Sequence, residues 1–527
     1  MPLSEVRAGM QCTGLSVVRG TEISSFDVEV LDVIAEDPLF GGSRILIRVS
    51  GPAVDATGVG PGFSGSPIMC EGRNAGAIAE GIGEYGNHVV LATPIEEILG
   101  SRSAAGAGAR RARRLRRAAR PLYGPLTVAG LSPGARRLLA RAARRAGRVV
   151  LAAPPGPLGG YPAQDLRPGS AVTAAIATGD VSIGASGTVA YRDGQEIFAF
   201  AHALDARGDR SLFLQDAYVF GVIGNPLGVP ALGAITYKLT SSGGHVLGAF
   251  TNDTFSGVAG GLGAGPRAIP LRAVARERGG GSVELNSLVA DERHLELGTG
   301  LSFVGPLAAT SALDRLLRSF EPVTLTACTR FRVRQLRRPI GYCNPYFDSF
   351  TALADVANAA GIVESFDFAP LDIEGMAVSI AARRGVVDEV LVGARAPRRT
   401  RPGARLPVRV MLQRRGGGRR SVRVRVRVPR DLRPGTRTLV LAGNGFELDE
   451  EFFIELIVGE LANEASSAQS GPRTVRRLAR RVAALRRPLG ITARFRRREE
   501  PRVVLRSDDV RFDGRVKLRL RVVRAGR

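Results

Sequence analysis

Short runs of alternating apolar and polar positions, broken every few residues by glycine, set the pattern of this chain. Phe26, Val28 and Val30 alternate with Asp27 and Glu29, the period-two mark of a half-buried strand. Ile45 to Val49 is a second short apolar run. Ile68-Met69-Cys70, the turn Glu71-Gly72-Arg73 and Ala75 to Ala79 predict a hairpin. Thr93 to Leu99, with Pro94 early in it, predicts a short closing helix. Residues 1–100 thus read as one β unit.

Residues 101–165 break the pattern and read as an Arg-rich linker. Ser101 to Gly108 is made of small residues. Arg110 to Arg120 is a charge run whose one apolar anchor is Leu115, so repulsion is expected to keep it solvated and mobile. Arg136 to Arg145, with Leu138, Leu139 and Ala142, predicts a basic amphipathic helix. Ala152 to Tyr161, rich in Pro and Gly, reads as a flexible connection. The β pattern returns over 166–275. There Thr188 to Tyr191, the turn Arg192-Asp193-Gly194 and Glu196 to Ala201 predict a hairpin ending on His202. Residues 276–400 read as mixed α/β, with Ser349 capping a helix whose apolar positions are Phe350, Leu353 and Val356. Residues 401–527 read as a β-sandwich-like module. Val422, Val424, Val426 and Val428 alternate with Arg423, Arg425 and Arg427, and a helix carries Val475, Leu478, Val482 and Leu485 on one side.

Composition sharpens this into a mainly β protein. In 527 residues, 44% are apolar and 66 are glycine while only 6% are aromatic, which suits many short strands and turns. The formal charge of +25 raises a nucleic-acid reading, but Lys238 and Lys517 are the two lysines and every other basic residue is arginine. That imbalance reads as codon bias. The basic runs lack interleaved aromatics for base stacking, so no specific nucleic-acid partner is expected. Loose contact with anionic polymers or a cell surface through the Arg-rich stretches is expected instead.

No run approaches the roughly 18 apolar residues of a membrane span. Cys12, Cys70, Cys328 and Cys343 form no CxxC, which argues against zinc. Cys12 with Cys70 and Cys328 with Cys343 are the expected disulfides, with four buried thiols as the alternative. Two disulfides fit an exported or cell-surface protein. No leader precedes the first strand, so export implies a signal peptide missing from this chain; a cytoplasmic location is the alternative.

The chemistry centres on Gly62-Phe63-Ser64-Gly65-Ser66-Pro67. A serine hydroxyl needs a base to take its proton and N–H groups aimed at the oxyanion that forms. Glycines permit a backbone tight enough to aim the Gly62 and Ser64 amides at one spot. An ordinary Gly/Ser turn is the plainer reading. The stretch Gly58 to Ala79 resembles the SpoIVB peptidase family, as do Gly20-Thr21-Glu22 and Phe26 to Val30 upstream. Phe198-Ala199-Phe200-Ala201-His202-Ala203-Leu204 resembles the segment around that family's histidine. Gly248 to Thr254, then Gly257 and Gly260, is similar to its later glycine-rich strand. The likeness covers roughly residues 5–100 and 166–265, with the serine half preceding the histidine half.

The resemblance implies two small β-barrel-like units in a chymotrypsin-like layout, forming a serine endopeptidase core. Ser64 is the nucleophile, His202 the base, and Gly62 and Ser64 the oxyanion hole. A protein or peptide is the substrate, with no cofactor and no metal. The family's acid position falls near Gly51, so Asp55, nine residues before Ser64, is the first candidate acid; Asp205 and Asp209 are the alternatives. His88, His245 and His294 read as surface or capping residues. The rival reading is a catalytically impaired descendant acting as an exported β-rich binding or scaffold protein.

Overall fold

The computed structural model describes residues 1–37, 42–82, 86–101, 126–145, 149–224, 236–292, 300–319, 322–443, 472–487, 489–495 and 502–523. The arginine run at 110–120 and His294 lie outside them. Two compact units form, one on Met1–Arg272 and Leu285–Ser311, the other on the described parts of Ala273–Glu284, Ala312–Leu456 and Ala468–Arg527.

The first unit opens with a closed antiparallel barrel. Its strands are β1 (Gln11–Arg19), β2 (Glu22–Asp37), β3 (Gly42–Ser50), β4 (Pro67–Cys70), β5 (Arg73–Gly81) and β6 (Val89–Pro94), in the order β1-β2-β3-β6-β5-β4. The period-two pattern dictates its core. Phe26, Val28 and Val30 turn inward against Ile45, Ile47, Val49, Ile68 and Ile78, while Asp27 faces out. Cys12 on β1 is joined to Cys70 at the end of β4 by a disulfide. Helix α1 (Ile95–Gly100) follows β6 directly.

The stretch expected to be linker holds structure of its own. β7 (Leu126–Ala129), α2 (Pro133–Arg145) and β8 (Val150–Ala152) form a β-α-β unit with parallel strands, and β7 pairs with β10. Leu138, Leu139 and Ala142 are the buried stripe of α2, as the spacing predicts.

The second β unit comprises β9 (Ala171–Gly179), β10 (Ser182–Asp193), β11 (Glu196–Ala199), β12 (Gly208–Asp216), β13 (Val219–Ile223), β14 (Tyr237–Thr240), β15 (Val246–Thr254) and β16 (Gly257–Leu262). The pairings run β9-β12-β15-β16-β11-β10 and return to β9, a closed ring of six. β13 and β14 form a separate two-stranded sheet. β17 (Ala268–Glu277) and β18 (Ser282–Ala290) follow, and β18 pairs with β9 through Ser287–Val289. The two barrels meet on small apolar side chains: Ala77, Ala79 and Ile98 from the first, Ala190, Phe198 and Ala201 from the second.

In the second unit, β19 (Val323–Val333) lies between β20 (Ile340–Tyr346) and β21 (Ile373–Arg384). Cys328 and Cys343 sit directly opposite each other on β19 and β20 and are disulfide-bonded. Helix α3 (Ser349–Glu364) is capped by Asp348, one residue before the expected Ser349: its carboxylate accepts the Thr351 N–H at 2.7 Å. The sandwich begins earlier than residue 401, at β22 (Val387–Arg395). It continues with β23 (Arg399–Thr400), β24 (Arg405–Arg414), β25 (Arg419–Arg427), β26 (Gly435–Gly443), α4 (Val475–Ala483), β27 (Gly490–Arg494), β28 (Arg502–Arg506), β29 (Val510–Asp513) and β30 (Arg515–Val522). Sheets β25-β24-β22-β29 and β23-β30-β26-β27-β28 share one core, with Val408, Val424 and Val426 on one side and Leu439, Leu441 and Leu520 on the other. Among the described residues, no helix is long and apolar enough to cross a membrane.

The Cys12–Cys70 bond closes a loop of 58 residues around the barrel. On the chain-entropy account such a loop contributes roughly 4 kcal/mol. Cys12→Ser with Cys70→Ser is expected to lower the first calorimetric transition markedly; an unchanged transition would show that barrel closure alone suffices.

Candidate active site

The Ser64 loop is a tight turn between the barrels. Phe63 N–H donates to Gly60 O at 2.9 Å, Ser66 N–H to Phe63 O at 2.8 Å, and Gly65 N–H to Ile78 O at 2.7 Å. Two of its glycines are obligatory. Gly62 has φ +97° and a Cβ there would lie 2.8 Å from Lys238 Cβ. Gly65 has φ +92° and a Cβ there would lie 1.9 Å from Thr188 O. The chain therefore presses directly on β14 and β10 of the second barrel. Thr188 of β10 grips it twice: its N–H donates to Ser64 O and its Oγ1–H to Gly62 O, both at 2.9 Å.

Ser64 is completely buried, and its Oγ has no hydrogen-bond partner among the described residues. The Gly62 and Ser64 N–H groups likewise donate to no acceptor among the described residues. Most buried backbone donors are paired, so two unengaged amides on either side of Phe63, one of them on the residue with the orphan hydroxyl, mark a place built for something else.

His202 lies on the loop after β11. That strand ends at Ala199 because Phe200 and Ala201 adopt left-handed backbone, φ +68° and +53°. Non-glycine residues there are strained by about 1–3 kcal/mol each. Three contacts hold the bend: Phe200 N–H donates to Thr188 O at 3.2 Å, Thr93 Oγ1 to Ala201 O at 2.7 Å, and the Phe200 ring packs edge-on to Phe250. Thr188 is thus common to both loops. His202 Nδ1 lies 2.7 Å from Ala203 O. A carbonyl only accepts, so this contact places the proton on Nδ1 and the neutral ring's lone pair on Nε2.

A buried carboxylate fixes the rest of the loop. Asp253 on β15 accepts the N–H groups of Leu204, Asp205 and Ala206 at 2.8, 2.9 and 2.9 Å. Arg210 pairs with Asp205, Asp253 and Glu292. Burial, and then the charge of Asp205, push the Asp253 carboxyl up to about 7, against the pull of Arg210.

Asp55, the first candidate acid, needs correction. Asp55 is exposed, and its carboxylate accepts Gly51 N–H at 2.7 Å, closing the 51–55 turn. It does not orient His202. Asp205 is bound by Arg210 and lies 3.7 Å from Arg207. Asp209 is exposed on β12. The Ala203 carbonyl lies against His202 Nδ1.

Other members of the site escaped the sequence reading. Lys238 on β14 is buried at 2% exposure. Its Nζ donates to Ser16 Oγ at 2.6 Å and Thr188 Oγ1 at 3.1 Å and lies 4.4 Å from the centre of the Phe63 ring. Ser16 Oγ in turn meets Ser66 Oγ at 2.7 Å. The rarity of lysine in this chain was the available signal. Thr188, inside an apolar run, gave none. His245, read as a surface residue, is half-exposed but paired: its Nδ1 lies 2.9 Å from the buried carboxylate of Asp216, which also accepts from Tyr161 OH at 3.0 Å. This cluster ties Tyr161 and Gln164 to β12.

Compared with known proteins, the chain matches no family model, no curated protein and no solved structure.

Burial without a counter-charge lowers Lys238 from its ordinary 10.5 to about 7. The folded chain therefore releases this proton before the unfolded chain does. The penalty on folding is complete below pH 7 and is relieved as pH rises from 7 towards 10.5, by at most about 1.4 kcal/mol per pH unit. Urea melts across that range are expected to show wild type gaining stability relative to Lys238→Met; parallel curves would mean an ordinary lysine.

Proposed function

We propose that this chain is a serine endopeptidase of the kind its resemblance to the SpoIVB family implies. The observation that carries the reading is the convergence on Thr188 of the Ser64 loop, with its orphan hydroxyl and two unengaged N–H groups, and the strained His202 loop. Ser64 Oγ attacks the peptide carbonyl while its proton passes to His202 Nε2. The Gly62 and Ser64 N–H groups receive the oxyanion. His202 then returns the proton to the leaving amine, and water releases the acyl group by the same steps in reverse. The Ala203 carbonyl fixes the ring tautomer. Ser64 and His202 are both buried, so substrate entry requires the covering residues to move. Two disulfides support an exported location.

A second reading is favoured by one feature of the sandwich. Arg395, Arg405, Arg409, Arg423, Arg425 and Arg427 are exposed on one face of β22, β24 and β25, and none pairs with a carboxylate among the described residues. Arg409 sits between Arg395 and Arg423, and Arg405 opposite Arg427. Like charges placed opposite each other destabilise a sheet. Such a face suits a linear polyanion, and the chain then acts as a binding scaffold, with or without peptidase activity.

Two measurements test these readings. A fluorophosphonate probe should label the wild-type chain, with labelling abolished in Ser64→Ala and reduced about 10³-fold or more in His202→Ala. Asp55→Asn should label at the wild-type rate. No label on wild type at any pH sinks the enzyme reading. For the scaffold, binding of inorganic polyphosphate should weaken with salt, and the triple variant Arg409→Ser, Arg423→Ser, Arg425→Ser should lower the log–log salt slope by roughly 2–3. An unchanged slope excludes this face.

A further inference from the structure

Lys238 poses a problem that the proposed reaction leaves unsolved. Among the described residues, no carboxylate lies within ion-pairing distance of its Nζ. The groups facing it are Ser16 from β1, Thr188 from β10 and the Phe63 ring from the Ser64 loop, with Ser66 behind Ser16. None of these carries charge. A lone buried ammonium is costly. Yet each contact is one that an N–H satisfies. Thr188 Oγ1 spends its own proton on Gly62 O, so it must accept from Lys238. Ser16 Oγ also accepts from Lys238, and an aromatic face attracts an N–H and repels a lone pair. Three acceptors match the three N–H groups of an ammonium; a neutral amine has two N–H groups to offer. The hydrogen bonds favour the proton and burial opposes it.

The sequence adds an independent point. Lys238 and Lys517 are the two lysines among 74 basic residues, and Lys517 is exposed on a strand of the sandwich. An arginine at position 238 would stay charged at every pH and could not shed its proton on burial. A chain that uses arginine almost everywhere keeps, at this buried position, the one basic side chain that can discharge.

We propose that Lys238 is the positioning residue of the Ser64 loop: its ammonium, acting through Thr188 and the Phe63 ring, holds the Gly62–Ser64 segment in the form that receives the oxyanion and places a positive charge behind it. This rests on the peptidase reading for its purpose, and on the hydrogen-bond chain Lys238–Thr188–Gly62 for its geometry. Loss of the proton removes one of the three contacts and the charge together. Acylation of Ser64 is then limited on the acid side by protonation of His202 and on the alkaline side by deprotonation of Lys238.

The chain offers a clean measurement, because lysine labelled with carbon-13 at Cε gives just two resonances. One should titrate near neutrality and vanish in Lys238→Met; the other, from Lys517, should titrate at the ordinary lysine position. Thr188→Val removes an acceptor and should shift the first titration further down. In parallel, fluorophosphonate labelling of wild type should rise and then fall with pH. Lys238→Met should label about 10–100-fold more slowly at neutral pH, the usual cost of losing a group one step behind the reacting atoms, and should lose the alkaline fall. If Lys238→Met keeps both the rate and the alkaline fall, the proposal is overturned. A wild type that takes no label removes the peptidase reading and the catalytic purpose of Lys238 with it. The positioning claim is then decided by the titrations: two ordinary lysines, or a first titration indifferent to Thr188→Val, overturns it. Circular dichroism of each variant separates these results from unfolding.

Discussion

Thr188 holds the candidate site together. Its N–H and hydroxyl take the carbonyls of Ser64 and Gly62, its own carbonyl accepts from Phe200, and its hydroxyl oxygen accepts from Lys238. One residue thereby fixes the loop bearing the serine, the bend leading to the histidine and the buried amine behind both. It can do so because β10 leaves β9 at this position and joins β11 one residue further on, so the backbone of Thr188 is not committed to a ladder on both edges. The contact between two barrels becomes a site because the strand that changes partners has spare hydrogen-bonding groups at the change.

Charge is handled in opposite ways on the two sides of this seam. At the far end of the His202 loop, Arg210 meets three carboxylates and the loop amides meet Asp253, so every charge named there has an opposite. Such a buried network contributes little net stability but fixes geometry, since removing any one partner strands the others. Behind the Ser64 loop the one charge among the described residues is that of Lys238, met by hydroxyl dipoles and a π face. The first arrangement is held by several mutual contacts. The second is poised to change with one proton, and it sits where the backbone N–H groups are unengaged.

Much of the fold was legible in the sequence. The alternation at Phe26 to Val30 and at Val422 to Val428 depends on local period alone, and both strands formed with the predicted faces buried. The spacing in Arg136 to Arg145 likewise marked its helix. What local pattern could not convey was pairing across long separations. The β-α-β unit inside the expected linker depends on β7 finding β10, some fifty residues later, and the sandwich recruits β22 from before the apparent module boundary. The same division applies to the site. Ser64 and His202 stood out because glycines and aromatics around them are local signals. Asp55 was chosen for its closeness in sequence to Ser64, yet a short polar side chain in a turn satisfies its own backbone first, as its bond to Gly51 shows. Thr188 and Lys238 act through residues 126 and 176 positions away from Gly62, and nothing in their immediate neighbours announces it.

Unfavourable terms accumulate at this seam. A buried hydroxyl without a partner costs about 1–3 kcal/mol, and the left-handed Phe200 and Ala201 cost a similar amount each. Among the described residues, a buried amine lacks a counter-ion, and the Gly62 and Ser64 N–H groups lack acceptors. Any one of these is tolerable in a well-packed protein. Their clustering within two adjoining loops is harder to reconcile with a purely structural contact, because a seam selected only for cohesion would lose nothing by replacing Ser64 with alanine or Lys238 with methionine. The small side chains around it, Ala77, Ala79, Ala190 and Ala201, let the barrels pack closely. Packing energy from the barrels is thus available to hold polar groups where they would not otherwise stay.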